Sequence, residues 1–223
     1  DLVDTEGDWR ENFPDYLGCV NSLDENAGRI LDTLEKRGEL ENTVVIYTSD
    51  HGSHFRTRNG EYKRSCHDGC IRIPMIINGP GFKGKGVPTD LASLIDVPPT
   101  ILRAAGVTPP ESMKGRPLQD LADGTPEDWP EEIFLQISES QTGRAIRTRK
   151  WKYSIVAPDK GPRDGFSDWY EEDFLYDLEA DPHERNNLVS DPEFADIRAE
   201  LCATMKRRMV EAGEDEPIIK PKS

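Results

Sequence analysis

Apolar and polar positions along the chain change their period several times, and each change marks an element. In "DYLGCVNSLDENAGRILDTLEKRGEL" the residues Tyr16, Val20, Leu23, Ala27, Ile30, Leu31 and Leu34 recur at three- and four-residue steps, forming one apolar face of a helix that Gly38 ends. "NTVVIYTSD" follows as a short β-branched run without polar alternation, the pattern of a buried parallel strand covered on both faces. "IRIPMIINGPG" predicts a second strand closed by a Gly-Pro-Gly turn, and "DLASLIDVPPTILRAAGV" a helix-forming segment with a Pro-Pro interruption near its start. A helix feeding a buried strand defines an α/β part, which we place at residues 1–125.

After the polar "LADGTPEDWPEE" the rhythm changes. "IFLQISES", "GRAIRTRKWKYSIV" and "DFLYDLEADP" are short strand-like runs separated by turns, which predicts a small antiparallel sheet within residues 126–223. A last helix, "DPEFADIRAELCATMKRRMVEAG", starts with Asp191 as N-cap and Pro192 at its first position, and puts Ile197, Leu201 and Met205 on one face. There is no internal repeat and no low-complexity tract.

The 223 residues, 35% of them hydrophobic, suffice for one sizeable domain or a main domain with a small appendage. A net charge of -15 argues against a nucleic-acid or anionic-membrane partner, so any anionic substrate must meet a local positive site. No stretch approaches the roughly 20 apolar residues of a membrane span, and the opening "DLVDTEGDWRENFPDY" lacks the plan of a signal peptide. That acidic opening reads as the interior of something longer, so a fragment is expected. Cys19, Cys66, Cys70 and Cys202 are too scattered for a disulfide scaffold. Cys66 and Cys70 flank His67 at C-x3-C spacing, but a zinc site brings further spaced ligands, and buried thiols or one local disulfide explain the pair better.

The chemistry gathers in "SDHGSHFRTRNGEYKRSCHDGCIRIP". Asp50 and His51 stand at the C-terminal end of the first strand, where ligand sites of open α/β sheets collect. A carboxylate and a neutral imidazole suit a divalent cation, and Gly52 permits the tight exit that aims both. A capping aspartate and a loop histidine satisfy the same dipeptide, since two ligands fill no coordination sphere. Lys63 would neutralise the oxygens of a metal-bound tetrahedral ester. His67 could donate a proton to a leaving oxygen or hydrogen-bond the anion, although lone loop histidines are usually surface residues. Arg56, Arg58, Arg64 and Arg72 could attract an anion or form a solvated face, and Asp68 is expected to pair with one of them.

These stretches resemble the C-terminal half of the type I sulfatases within the alkaline phosphatase superfamily. "DYLGCVNSLDENAGRILDTLEKRGELENTVVIYTSDHG" looks like the family's helix and strand leading to its metal-binding turn. In "YKRSCHDGCIRIPMIINGPG" a lysine lies eleven residues before the proline of an R-x-P strand, and "FLYDLEADPHERNNL" looks like the near-C-terminal strand and its D-P-x-E-x-x-N-L turn. The fold class that follows is α/β, an alkaline-phosphatase-like parallel or mixed sheet flanked by helices, with a small C-terminal antiparallel sheet plus helix. By resemblance, Asp50 and His51 become ligands of one divalent metal and Lys63 contacts the sulfate oxygens. Calcium is usual in the family, and the histidine, where many members carry asparagine, leaves manganese open. Substrate contacts are assigned to His67, Arg72 and Trp169 as well.

The family's nucleophile, a formylglycine made from the Cys or Ser of C-x-P-x-R or S-x-P-x-R, has no counterpart among these residues. It is expected in an N-terminal segment, together with the remaining metal ligands. The implied reaction is hydrolysis of a sulfated small molecule or glycan, in an extracytoplasmic location (periplasmic, secreted or lysosomal). The rival within the superfamily is a phosphonate monoester or phosphodiester hydrolase; the rival outside it is a non-catalytic fragment that binds an N-terminal half. In "DKGPRDGFSDWYEED" the aromatics Phe166, Trp169 and Tyr170 could line a sugar-binding rim with Arg163, or pack internally.

Overall fold

The computed structural model describes residues 7–82, 89–124, 126–161 and 163–222, so the acidic opening at 1–6 lies outside the described residues. In chain order the elements are α1 (Trp9–Lys36), β1 (Val45–Thr48), α2 (Asp68–Ile71), β2 (Met75–Asn78), α3 (Val97–Ala104), α4 (Gln119–Asp123), β3 (Glu132–Ile137), β4 (Gly143–Thr148), β5 (Trp151–Val156), β6 (Trp169–Asp177), α5 (Ala195–Glu211) and β7 (Ile218–Lys220). They form two compact units. A helical unit comprises Asp8–Asp50 and Ile73–Pro130; a sheet unit comprises His51–Arg72 and the described residues from Glu131 onward. The segment that carries the candidate chemistry after Asp50 therefore folds with the sheet unit, although it interrupts the other in sequence.

In the helical unit α1 ends as its sequence requires. Gly38 takes φ +70°, and the amides of Gly38 and Glu39 donate to the carbonyls of Glu35 and Leu34 at 2.9 Å each, which satisfies the last turn. β1 pairs antiparallel with β2, Tyr47 opposite Ile76, and this is a two-stranded sheet among the described residues. Among the described residues β1 lacks the expected parallel partner. An unalternating apolar run reports that both strand faces are covered in the end, and is silent on strand direction. One face is covered within the unit: Val44, Met75 and Ile77 pack on Phe82, Leu118 and Trp129. The other leaves Ile76 63% exposed. Pro98 and Pro99 do not interrupt α3 but occupy its first turn, where missing amide donors cost nothing. Ahead of them the Ser93 and Asp96 capping box closes a single 3-10 turn.

The sheet unit is built on five strands in the order β3-β4-β5-β6-β7, antiparallel except for the β6–β7 pair. The β4–β5 hairpin sets Ile146 opposite Tyr153, and β6 sets Leu175 opposite Tyr153 on the other side. Against that face α5 lays Leu201, Met205 and Met209, four residues apart, and the cluster is fully or almost fully buried. Each such side chain contributes about 1.5–3 kcal/mol by burial. Asp191 caps the short turn Pro192–Phe194 that leads into α5, its side chain accepting from the Glu193 amide at 2.9 Å. The opposite sheet face turns Ala145, Arg147, Lys152 and Ser154 toward the 51–72 segment, whose Cys66 packs with Ala145 and Ile137.

Candidate functional site

Asp50 lies just past β1, exposed, as the last residue of the helical unit, and His51 opens the sheet unit. Gly52 is required by close approach: its amide donates to the Cys70 carbonyl at 2.7 Å, and a Cβ there would stand 2.2 Å from the Gly69 oxygen. That bond fixes the backbone beside His51. The ring then has one sensible tautomer. Nδ1 lies 2.9 Å from the Gly52 carbonyl oxygen, which can only accept, so Nδ1 carries the proton. Nε2 then carries the lone pair, and the Lys63 ammonium donates to it at 3.0 Å.

The structure thus brings Lys63 and His51 together, twelve positions apart in sequence. Lys63 Nζ also stands 5.6 Å from the Tyr62 ring centroid, a cation–π contact that helps direct it. Among the described residues no group of three or more His, Cys, Asp or Glu is arranged to hold a metal ion. The donors this segment offers are the Asp50 carboxylate and His51 Nε2. A lone pair held ready by the Nδ1–H···O=C bond is the usual second-shell arrangement of a metal-ligating histidine, so the residues fit as part of a site.

His67 does not join the pair as expected. It is buried, with Nε2 3.2 Å from the Tyr176 hydroxyl, Nδ1 3.2 Å from Ser65 Oγ and its ring edge-on to Phe174. Burial first, then the cations Arg58 and Lys152, push its pKa down to about 2, so at neutral pH it has no proton of its own charge state to give. It lines a polar cavity of about 200 Å³ with His54, Thr57, Arg58, Asp68 and His183. The basic run is not one solvated face either. Arg58 donates to the carbonyls of Glu184 and His183 at 2.8 and 2.7 Å, and Arg64 pairs with Glu61 and with Glu139. Arg72 is exposed at the end of α2. Asp68 pairs with none of these arginines but with Lys152 and Arg147 of the sheet. Burial raises its pKa, and the two cations more than reverse that, holding the carboxyl below its ordinary range.

Cys66 and Cys70 are free and buried; burial pushes Cys66 up to about 12, opposite to what thiolate ligation needs. At the far end, Tyr170 is fully buried and its hydroxyl accepts from the Ser167 amide, so it belongs to the core rather than a rim. Trp169 is half-buried in β6 with Lys220 Nζ 4.0 Å from its ring centroid, while Phe166 is 66% exposed. Two groups that the chain pattern did not single out matter here, Lys152 and Glu184. The glutamate was visible as part of the D-P-x-E-x-x-N-L turn; the lysine, in an alternating strand, carried no signal.

An α/β unit whose strand runs into an Asp-His-Gly turn, followed by an antiparallel sheet with one long helix, is the alkaline-phosphatase-like fold. The Sulfatase family matches residues 3–107, and the family described as N-sulphoglucosamine sulphohydrolase, C-terminal, matches residues 60–211. The chain belongs to the sulfatases. It is 30% identical to an N-acetylglucosamine-6-O-sulfatase of Bacteroides thetaiotaomicron, with 94% of this chain and 38% of the relative aligned. It is 31% identical to a choline-sulfatase of Rhizobium meliloti over 89% of this chain and 37% of that protein. The chain therefore spans less than two fifths of the length of these curated relatives. A protein solved in complex with its substrate D-glucosamine-2-N,6-O-disulfate superposes with a TM-score of 0.75 at 31% identity, covering 91% of this chain and 41% of that one. A phosphonate monoester hydrolase from Silicibacter pomeroyi reaches a TM-score of 0.72 at 26% identity, covering 88% and 40%.

Proposed function

We propose that these residues are the C-terminal portion of a sulfuric ester hydrolase and supply part of its metal site and its anion clamp. The observation that carries the reading is the Lys63–His51 pair: a protonated ammonium and an imidazole lone pair converge at 3.0 Å, with the tautomer fixed by Gly52. In the intact enzyme Asp50 and His51 would be two ligands of one divalent cation, calcium or, given a nitrogen donor, manganese. Such a cation supplies charge neutralisation to the ester and its attacking group. Lys63 would leave His51 for a sulfate oxygen and balance the charge that builds there as the S–O bond breaks.

The formylglycine nucleophile and the other ligands would come from an N-terminal part of the same enzyme, for which residues 1–125 complete the catalytic domain and 126–223 form the C-terminal subdomain. Substrates in this reading are sulfated small molecules or glycans, met at the rim by Arg72 and Trp169, and the enzyme would work outside the cytoplasm. Among the described residues no helix is long and apolar enough to cross a membrane. His67 keeps a place only as a neutral hydrogen-bonding wall.

The likeness to phosphonate monoester hydrolases supports a second reading, since nothing in Asp50, His51 or Lys63 distinguishes a sulfuryl from a phosphoryl centre. Rates of the intact enzyme on matched aryl sulfate and phosphodiester substrates decide: higher kcat/KM on the sulfate is expected, and preference for the phosphodiester overturns the choice. No turnover of either would favour a non-catalytic binding role.

A further inference from the structure

Lys63 rides on a loop, residues 58–68, that contains no helix or strand before α2 begins at Asp68. Within the loop Asn59 Nδ2 donates to the carbonyls of Lys63 and Arg64 at 3.1 and 3.4 Å, and Asn59 Oδ1 accepts from the Glu61 amide at 2.8 Å. These bonds close the loop on itself without orienting it. The loop is held from outside at its middle, where the Ser140 hydroxyl donates to the Arg64 carbonyl at 2.7 Å, the His54 amide donates to the Tyr62 carbonyl at 2.9 Å and Arg64 pairs with Glu139, and at its two ends, which both meet one residue. At the first, Arg58 donates to the carbonyls of Glu184 and His183; at the second, the Asp68 amide donates to Glu184 Oε2 at 2.8 Å, across 116 positions of sequence. Glu184 Oε1 is gripped by Lys152, whose Nζ also holds Asp68 Oδ1 at 2.5 Å.

The surroundings of Glu184 are unusual for a turn residue. It is 3% exposed, its counter-ion Lys152 is wholly buried, and its φ is +54°, a left-handed conformation that non-glycine residues rarely adopt. The turn does not depend on the carboxylate. Asp181 already caps it, accepting from the amides of Arg185 and Asn186 at 2.5 and 2.7 Å. Two cations, Lys152 and Arg147, balance two carboxylates, Asp68 and Glu184, and such buried sets are weak sources of net stability while fixing geometry tightly.

We propose that Glu184, with Lys152 as its buried counter-ion, is a positioning residue for Lys63: it clamps both ends of the 58–68 loop to one turn and so sets where the Lys63 ammonium can meet a bound anion. The positioning role rests on Lys63 being the anion contact; the clamp itself does not.

Two arms separate these. In the 223-residue chain, amide exchange followed by mass spectrometry compares peptides from 51–72 with peptides from β4, β5 and β6. Lys152→Met/Glu184→Gly leaves the buried charges balanced as Asp68 with Arg147 and puts glycine where φ is positive; Arg58→Met is the milder second variant. Both are expected to speed exchange in 51–72 about tenfold or more while the strands stay protected. Unchanged exchange in 51–72, or an equal rise throughout the strands, overturns the clamp. In the intact enzyme Glu184→Gly is expected to lower kcat on a small aryl sulfate about tenfold with KM within about twofold, and to cost nothing further once Lys63 is alanine. A full additive loss in the Lys63→Ala background overturns the positioning role. An intact wild-type enzyme inert on sulfate esters would instead remove the proposed function and leave the exchange arm standing.

Discussion

Two helices of this molecule carry apolar stripes of the same period, and only one is buried. On α5 Leu201, Met205 and Met209 are 5%, 0% and 0% exposed; on α1 Tyr16, Val20, Leu23, Ile30 and Leu31 stand between 39% and 62% exposed, and no residue of the helix is buried. The sheet unit closes its own core, whereas the helical unit leaves α1 and the Tyr47–Ile76 face of its strand pair open. Amphipathic spacing thus records that a face is meant to be covered, without saying by what. In the proposed function the cover would come from the N-terminal part of the same enzyme.

The sharpest test of that division changes one proposed site residue in each unit. In the intact enzyme Asp50→Ala, in the open unit, should abolish metal binding and nearly all turnover, because one lost carboxylate leaves the cation underneutralised and misplaced. Lys63→Ala, in the closed unit, should keep the metal and lose about 2–4 kcal/mol of transition-state stabilisation, as one oxyanion donor does. Metal content by elemental analysis, set beside kcat/KM, separates the two defects. In the 223-residue chain calorimetry should find weak calcium binding; tight stoichiometric binding lost in Asp50→Ala would mean the site needs no further ligands.

Next in size is the contrast in packing. Met205→Ala should cost about 2–5 kcal/mol, since it empties a fully buried site. Leu23→Ser, at a position 56% exposed, should stay within about 0.5 kcal/mol in this chain and become costly only in the intact enzyme. Urea midpoints read both. Equal costs in the chain alone would show that α1 finds cover there after all.

What the chain pattern could show follows the same divide. The existence of α1 and α5, the C-terminal end of α1, the strands on either side of the Asp-His-Gly turn and the antiparallel character of the C-terminal part were legible, because period and caps are local; the start of α1 was not, since the apolar period begins at Tyr16 while the helix begins at Trp9 and carries Pro14 inside it. Strand direction was not: β1 reads as two-faced whichever way its partner runs. Nor were the buried cations. Arg144 and Lys152 sit at alternating strand positions that look solvent-facing, yet each is buried by a partner far along the chain, Glu214 for Arg144 and Asp68 with Glu184 for Lys152. Of the proposed site, Asp50, His51 and Lys63 were nominated by type and place, and the His51–Lys63 contact is a geometric fact that spacing could not supply. His67 misled for the same reason: its neighbours Tyr176 and Phe174 lie more than a hundred residues away.

That misplaced histidine gives the smallest test of the comparison. His67 belongs to the sheet unit, so mild acid should weaken that unit through it. His67 has its pKa lowered from 6.5 to about 2 by burial and by Arg58 and Lys152, so between those values the unfolded chain takes up a proton that the folded chain refuses. The stability due to neutral His67 is therefore complete above pH 6.5 and drains away as pH falls below it. Linkage gives a loss of about 1.4 kcal/mol between pH 7.5 and 5.5 for one such group. Urea midpoints at the two pH values should differ by that amount, and His67→Gln, which keeps a hydrogen bond to Tyr176 within reach but cannot titrate, should flatten the difference. A difference that survives in His67→Gln would assign the acid sensitivity to another group and return His67 to the candidates for proton transfer.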